Sequence, residues 1–288
     1  MCYLETKQFY AGEGNQLFVY CYGMIISHKF NIPYIHPGIP SLQIPSTVQL
    51  RPSNQKSWIS ITNYQETLQI TQLSTEVNYL LDYGFNPTIE DYTLFLPYVS
   101  FLKQLFPKQE ILYKKELVYH LRAGDTLLCK GRNYKYLQAD KLEQLLSSIS
   151  HTQLYVVTNL VKQDLWTMDD LYAYRKKLLE KGDCGANYTE SLLINEEEMK
   201  ESLRNLNNVL TVLKQQNAIW KSDTIWNDFN TIRSFQTIIM NVSTFSWWAA
   251  VLSDATKVYT PKHWKYLKGN RNKNLPYMKL PGWEAVDL

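Results

Sequence analysis

The chain has 288 residues, of which 45% are hydrophobic and 20% are charged, and its formal net charge is +3. This length and composition suffice for a large buried core, so they exclude an intrinsically disordered protein, a collagen-like fibre and a coiled coil. The net charge is too small for the concentrated basic face of a nucleic-acid-binding protein, and the 14% aromatic share fits sugar or base binding and an ordinary core equally well.

Cysteine usage and the N-terminal segment predict a soluble protein of the reducing cytoplasm. None of the four cysteines belongs to a Cys-x-x-Cys pair or has a histidine at zinc-ligand spacing, so we expect free thiols and no metal site. Residues 1–9 lack the basic and apolar regions of a secretion signal. The longest near-apolar run, residues 18–26, is too short to span a bilayer.

The first half of the chain begins with a glycine-containing turn at residues 12–16, followed by a helix. Leu17, Cys21, Met24 and Ile25 share one face of that helix, the pattern of a core-facing element. A short strand at residues 32–35 comes next. A turn, a helix and a strand in this order are typical of an α/β domain with parallel strands.

The rest of the first half gives weaker signals. Residues 38–57 are rich in Pro, Ser and Gln and predict a long loop. Residues 58–112 contain strand-like and helix-like fragments without a clear period.

From residue 116 the chain alternates between buried-type strands and amphipathic helices. The predicted strands are 117–121, 154–158, 209–213, 237–240 and 257–260. The predicted helices are 139–150, 169–181, 196–206, a segment around 226–232, and 245–252. This alternation predicts a doubly wound α/β domain, whose ligands lie beyond the carboxyl ends of the strands. We therefore predict two domains, 1–112 and 113–288.

The first chemical motif is residues 120–125, His-Leu-Arg-Ala-Gly-Asp, where a predicted strand ends and the chain turns. Arg122 offers a planar fork suited to a diphosphate, and His120 offers a hydrogen bond to a base or ribose. An internal ion pair between Arg122 and Asp125 that only holds the turn is an equally good interpretation.

The second motif is residues 241–250, Asn-Val-Ser-Thr-Phe-Ser-Trp-Trp-Ala-Ala, where a strand gives way to an apolar helix. Ser243 and Thr244 are ordinary helix-capping residues, but the free N–H groups of a helix start also bind anions. Trp247 and Trp248 lie within an apolar helix, which favours a place in the core over a role as a sugar platform.

These two motifs and residues 14–18, Gly-Asn-Gln-Leu-Phe, together resemble the α-1,2-fucosyltransferase family of inverting glycosyltransferases, in that family's order and with roughly its spacing. Asp228-Phe229 upstream of the second motif and Pro261-Lys262-x-Trp264 downstream of it are also similar to the family. The resemblance covers residues 10–30 and 117–265.

The resemblance implies an α/β fold of two Rossmann-like domains facing a cleft, the B type of glycosyltransferase. The N-terminal domain would hold a glycan acceptor and the C-terminal domain a nucleotide-sugar donor. The family inverts the configuration at the anomeric carbon and needs no metal or other cofactor. Consistent with this, the chain contains no Asp-x-Asp triplet, the motif with which other glycosyltransferases bind a metal and the donor diphosphate.

The resemblance also implies donor-binding roles for eight residues. They are Arg122 at the diphosphate, His120 and Asp228 at the nucleoside, Ser243, Thr244 and Phe245 at the diphosphate and sugar, and Gly14 and Asn15 at the edge of the cleft.

Catalysis by inversion also needs a proton acceptor for the attacking hydroxyl. Asp125 is the preferred candidate, with Glu13 as the other. A phosphate oxygen of the leaving group is a third candidate.

One departure from the family pattern bears on the donor. The family has two consecutive arginines, and here Ala123 stands in place of the second. The resemblance implies GDP-fucose as the first candidate donor, and the loss of the second arginine makes a UDP-pentose such as UDP-xylose the alternative. A non-catalytic carbohydrate- or nucleotide-binding protein on the same fold is the other functional class.

Aromatic platforms on which a sugar could stack are expected in the first half of the chain, at residues such as Tyr34, Trp58 or Tyr64.

Overall fold

The structure is a computed structural model that describes residues 2–7, 12–50, 56–62, 64–81, 95–130, 138–181, 189–262 and 279–288. The chain divides into two units, Met1–Lys108 and Gln109–Leu288. Every strand pair that the structure describes is parallel. Trp264 of the downstream motif lies outside the described residues.

The first unit contains a four-stranded sheet with three described α-helices. Its strands are β1 (Leu4–Thr6), β2 (Tyr34–Ile35), β3 (Trp58–Ile61) and β4 (Asn78–Leu81). Its helices are α1 (Glu13–Phe30), α2 (Tyr64–Gln69) and α3 (Val99–Gln104). The strand order is β2-β1-β4-β3.

Helix α1 confirms the predicted helix and its buried stripe. Three of the four stripe residues are fully buried: Leu17, Cys21 and Ile25. The helix begins at Glu13 rather than after residue 16, because the Gly12 carbonyl already accepts the backbone N–H groups of the first turn. It ends at Phe30, since Asn31 adopts a left-handed conformation with φ 50°.

The second unit contains a six-stranded sheet and five described α-helices. Its strands are β5 (Tyr113–Leu121), β6 (Leu154–Thr158), β7 (Ile219–Trp220), β8 (Phe235–Ile239), β9 (Lys257–Pro261) and β10 (Glu284–Val286). Its helices are α4 (Ala139–Ser148), α5 (Met168–Lys181), α6 (Glu196–Gln215), α7 (Ile225–Arg233) and α8 (Thr244–Val251).

The strand order of the second unit is β10-β9-β8-β5-β6-β7. The chain starts in the middle at β5, proceeds outward through β6 and β7, and then returns to build β8, β9 and β10 on the other side. This is the doubly wound topology that the alternation predicts, and its switch point lies between β5 and β8. How the two units face each other stays a prediction.

One predicted strand is wrong. Residues 209–213 belong to helix α6, which runs on to Gln215. The apolar residues of this stretch continue the stripe of the preceding turns at spacings of three and four, and Leu206, Val209, Leu210 and Leu213 are all buried. The third strand of the unit comes later, as the two-residue β7, and the sequence did not predict β10.

The tryptophans of the second motif lie in the core, as predicted. Trp247 and Trp248 have no exposed surface, and their rings meet edge to face with centroids 4.9 Å apart. Truncating such a side chain typically costs about 3–5 kcal/mol, so both residues are needed to hold α8 against the sheet. No helix within the described segments has the length and apolar character needed to cross a membrane.

Candidate functional site

The two motifs leave the sheet side by side. β5 pairs with β8 in parallel, with Tyr119 opposite Ile239, and neighbouring strands lie about 4.8 Å apart. The segment after β5 carries Arg122 and Asp125, and the segment after β8 carries Ser243. Both therefore lie at the carboxyl edge of the sheet, at its switch point.

A side-chain contact ties these two strand ends together. Asn241 Nδ2 donates to the hydroxyl of Tyr119 at 3.2 Å, and Asn241 Oδ1 accepts the backbone N–H of Val242 at 2.6 Å. Burial raises the pKa of Tyr119, so its hydroxyl stays neutral. Asn241 thus fixes the path of the chain from β8 toward α8.

The turn after β5 is closed by an ion pair. The Arg122 guanidinium donates to Asp125 Oδ1. Asp125 lies in the 3-10 helix Gly124–Leu127 and only 2% of its side chain is exposed, against 24% for Arg122. A guanidinium carries five N–H groups, so Arg122 can be held by Asp125 and still present donors to an anion.

Asn159 supports this turn from the neighbouring strand. It follows β6, and its Oδ1 accepts the backbone N–H of Ala123 at 3.2 Å. Gly124 has φ +48°, and a Cβ there would stand 2.1 Å from Asn159 Nδ2. The sequence motifs did not indicate Asn159, although its place directly after the predicted strand 154–158 is a signal that points to it.

Ala123, which stands in place of the family's second arginine, is fully buried. It belongs to the apolar core of the second unit, together with Leu121 and Leu127. Its side chain therefore occupies the core rather than the surface of the turn. In this chain a long cationic side chain at position 123 would have to displace packed apolar groups.

His120 is the second-last residue of β5. The centroid of its ring lies 5.8 Å from that of Phe245. Only 5% of His120 is exposed, and its Nδ1 has no hydrogen-bond partner among the described residues. Burial, and secondarily the charge of Arg122, lowers the pKa of His120 to about 3. The ring is therefore neutral at pH 7, with one nitrogen that donates and one that accepts.

Helix α8 begins differently from α6 and α7. Ser243 is its N-cap, yet its hydroxyl makes no capping hydrogen bond within the described chain. By contrast, Asn195 forms a full capping box at the start of α6, and Thr224 accepts the N–H of Asn227 at the start of α7. The α8 start thus lacks the side-chain oxygen that commonly satisfies first-turn N–H groups.

Helix α7 brings Asp228 and Phe229 toward the same region. The Phe229 ring lies 5.4 Å from that of Phe245, edge to face. Asp228 is half-buried and accepts the backbone N–H of Asp223 at 2.8 Å. Burial raises the pKa of Asp228 to about 6, and the nearby Asp223 charge adds to this. The carboxyl therefore binds a proton more readily than an ordinary aspartate.

The first-unit candidates, Glu13, Gly14 and Asn15, form the first turn of α1. Glu13 Oε1 accepts a hydrogen bond from the Ser41 hydroxyl at 3.3 Å. Gly14 is buried and Asn15 is half-buried. Their predicted part in binding or catalysis stays a prediction.

The suggested sugar platforms of the first unit fare differently. Tyr34 is buried, and its hydroxyl shares a 2.9 Å hydrogen bond with Thr6 Oγ1, so its ring offers no platform. Trp58 is 45% exposed, but it pairs with Asn78 at the amino end of the sheet. It therefore lies at the opposite edge from the start of α1. The side chain of Tyr64 lies outside the described residues.

No cluster of three or more His, Cys, Asp or Glu side chains able to hold a metal ion occurs in the part of the chain that the structure describes. Metal independence stays a prediction.

Comparisons with known proteins add a distant structural likeness. No family model and no curated protein matches the chain. It is similar to the selenomethionine structure of the fucosyltransferase NodZ from Bradyrhizobium, with a TM-score of 0.42. It is also similar to the NodZ α-1,6-fucosyltransferase soaked with GDP-fucose, with a TM-score of 0.36. Each is 9% identical over 88% of this chain and 93% of the other. Such scores carry no argument about activity, which must rest on the site.

Proposed function

We propose that the chain is an inverting, metal-independent glycosyltransferase that binds a nucleoside-diphosphate sugar at the carboxyl edge of β5 and β8. The proposal depends on one observation. Arg122, held by Asp125, and the start of α8, which has no side-chain cap, follow the neighbouring strands β5 and β8 at the switch point. The nearly buried, neutral His120 ring lies beside that helix start. This set provides a cation, backbone N–H donors and a base-reading group within one sheet edge.

The proposed chemistry requires that negative charge growing on the departing diphosphate be stabilised. Arg122 supplies charge-assisted hydrogen bonds, and the start of α8, at Ser243 and Thr244, supplies N–H groups and the positive end of the helix dipole. Groups that are already in place before the bond breaks need no reorganisation during the reaction. The ion pair with Asp125 gives Arg122 this fixed position.

The nucleoside is proposed to lie toward His120 and Asp228, with Phe245 lining the sugar-diphosphate. A neutral imidazole can both donate to and accept from a base edge, and the buried Nδ1 of His120 has no hydrogen-bond partner within the described chain. GDP-fucose is the first candidate donor and a UDP-pentose such as UDP-xylose the second. The acceptor is proposed to be a glycan hydroxyl.

The burial and pairing of Asp125 bear on the choice of catalytic base. A carboxylate that is 2% exposed and bound to Arg122 is poorly placed to meet an acceptor hydroxyl. The geometry therefore favours Asp125 as the residue that holds Arg122. Glu13 or a phosphate oxygen of the donor remains as the proposed proton acceptor. General-base assistance is worth about 10²–10⁴-fold in rate, which makes the distinction measurable by comparing Glu13→Gln with Asp125→Asn.

The experiment that tests the proposal is a donor panel. The purified chain is incubated with GDP-fucose, GDP-mannose, UDP-xylose and UDP-glucose, with and without EDTA, and the released nucleotide is measured. We expect slow hydrolysis of one donor at a rate that EDTA does not change. Binding without any hydrolysis or transfer would favour a non-catalytic binding protein. No binding of any donor would refute the proposal, and a rate abolished by EDTA would refute metal independence.

A further inference from the structure

Asn159 is an exposed residue directly after β6 that contacts the middle of the turn after β5. Its Oδ1 accepts the Ala123 N–H at 3.2 Å, and its Nδ2 occupies the space where a Cβ of Gly124 would stand. A single side chain thus touches both residues between Leu121-Arg122 and Asp125. Neither composition nor the family resemblance assigns it a role.

The Ala123 N–H needs such a partner because the strand ladder has already ended. The β5–β6 pairing stops with Leu121 opposite Thr158, so the following backbone groups leave the sheet. Thr158 Oγ1 donates to the Leu121 carbonyl at 2.8 Å, and Asn159 takes up the Ala123 N–H. Two consecutive side chains, from the last residue of β6 and the residue that follows it, therefore hold the backbone on both sides of Arg122.

The contact with Asn159 also explains why position 124 is a glycine. With φ +48°, position 124 favours a residue without a Cβ, and the Asn159 amide fills the space thereby opened. The backbone turns sharply enough there for Asp125 to come back against the Arg122 guanidinium, three residues away in the chain. Asn159 and Asp125 therefore restrain the two ends of the residue that we propose binds the diphosphate: its backbone and its guanidinium.

We propose that Asn159 is a positioning residue for donor binding: it holds the backbone of the 122–125 turn so that Arg122 is presented to the diphosphate. This inference rests on the proposed function. Asn159 acts through Arg122 rather than by its own contact with the donor. Because pre-organised groups bind without the cost of ordering, loss of this restraint should weaken binding of the diphosphate more than it weakens the fold.

The test is a double-mutant cycle on nucleotide binding. GDP and UDP are titrated calorimetrically into the wild type, Asn159→Ala, Arg122→Gln and the double variant, using whichever nucleotide binds the wild type. Loss of one neutral hydrogen bond corresponds to about a five- to tenfold loss of affinity, which we expect for Asn159→Ala alone. In the Arg122→Gln background the same substitution should change affinity less than about twofold, because coupled residues are not additive. Fully additive losses would overturn the inference.

Two further variants separate positioning from a merely structural role. Asn207 holds another segment in a similar way, accepting the Trp166 N–H and donating to the Trp166 carbonyl, each at 2.8 Å. Asn207→Ala should lower the thermal midpoint but leave nucleotide affinity unchanged. Asn159→Asp keeps the acceptor for the Ala123 N–H, so its affinity should lie between those of the wild type and Asn159→Ala.

The outcomes distinguish the two proposals. If the wild type binds neither GDP nor UDP, the proposed function fails and the inference falls with it. If the wild type binds and Asn159→Ala binds equally well, the inference alone is overturned.

Discussion

The segments after β5 and after β8 meet at the same switch point but are built in opposite ways. After β5, two side chains hold the turn in place: Asp125 pairs with the Arg122 guanidinium, and Asn159 accepts the backbone N–H of Ala123. After β8, the chain enters α8 through Ser243, whose hydroxyl makes no capping bond in the described chain. The first segment offers a cation that is held in place, and the second offers backbone donors at an uncapped helix start. An anion bound between them would draw on both kinds of donor.

The strongest test of this contrast is removal of the held cation. Arg122→Gln keeps an amide that can donate to the buried Asp125 but removes the charge. Hydrogen bonds to charged groups contribute roughly 1.5–3 kcal/mol, so we expect nucleoside-diphosphate affinity to fall roughly 10- to 100-fold in titration calorimetry.

The matched control for that variant is Arg175→Gln. Arg175 pairs with Glu190 and is 20% exposed, so it resembles Arg122 in pairing and exposure but lies on α5. Its substitution should leave nucleotide affinity unchanged. Equal losses for the two variants would show that affinity follows net charge and not the turn after β5.

Gly124→Ala tests how tightly the turn after β5 is closed. Alanine at φ +48° is strained and would meet the Asn159 amide, so the free energy of unfolding should fall by about 1–3 kcal/mol in denaturant titrations. Gly282→Ala is the control, because Gly282 has φ +85° with nothing within 4 Å of a new Cβ. If Gly282→Ala costs as much as Gly124→Ala, backbone conformation accounts for the whole effect and the contact with Asn159 adds nothing.

Ser243→Ala tests whether α8 begins without a side-chain cap. Thr224→Ala removes a real cap at α7 and should lower the free energy of unfolding by about 1 kcal/mol. Ser243→Ala removes a hydroxyl that makes no capping bond, so we expect less than half of that effect. Only Ser243→Ala should lower nucleotide affinity, and Thr224→Ala should leave it unchanged. A stability loss at Ser243 matching that at Thr224 would mean that α8 is capped like α7.

Asp228 and His120 should give opposite pH dependences of stability. Burial raises the pKa of Asp228 from 3.8 to about 6, so the folded state binds this proton more tightly than the unfolded state does. The stabilisation is complete below about pH 4 and is lost as the pH rises through 6. Asp228→Asn should therefore gain stability relative to the wild type between pH 4 and pH 6, measured by urea unfolding.

His120 should behave in the opposite sense. Burial and the Arg122 charge lower its pKa from 6.5 to about 3, so the unfolded state binds the proton more tightly. The stabilisation is complete above about pH 6.5 and is lost as the pH falls toward 3. His120→Gln should accordingly gain stability relative to the wild type on acidification. A difference that does not vary with pH would mean that the imidazole titrates alike in the folded and unfolded states.

Local patterns in the sequence predicted the elements of the second unit well. Strand β6 was predicted at its observed bounds, and helix α5 within one residue. The error at residues 209–213 arose because a short apolar run does not distinguish a strand from the end of a long helix. Strand β10 is only three residues long, and it has too few side chains to show a period.

The sequence by itself determined the α/β alternation and the place of polar motifs at two strand ends, because both follow from local side-chain periodicity. Tertiary structure alone decided the strand order that places β5 beside β8, and with it the contact between Tyr119 and Asn241, 122 residues apart. It also decided that Arg122 is held by Asp125 and that Asn159, 36 residues away from Ala123, supports the same turn. Strand order depends on how distant faces pack, and that packing leaves no period in any one segment.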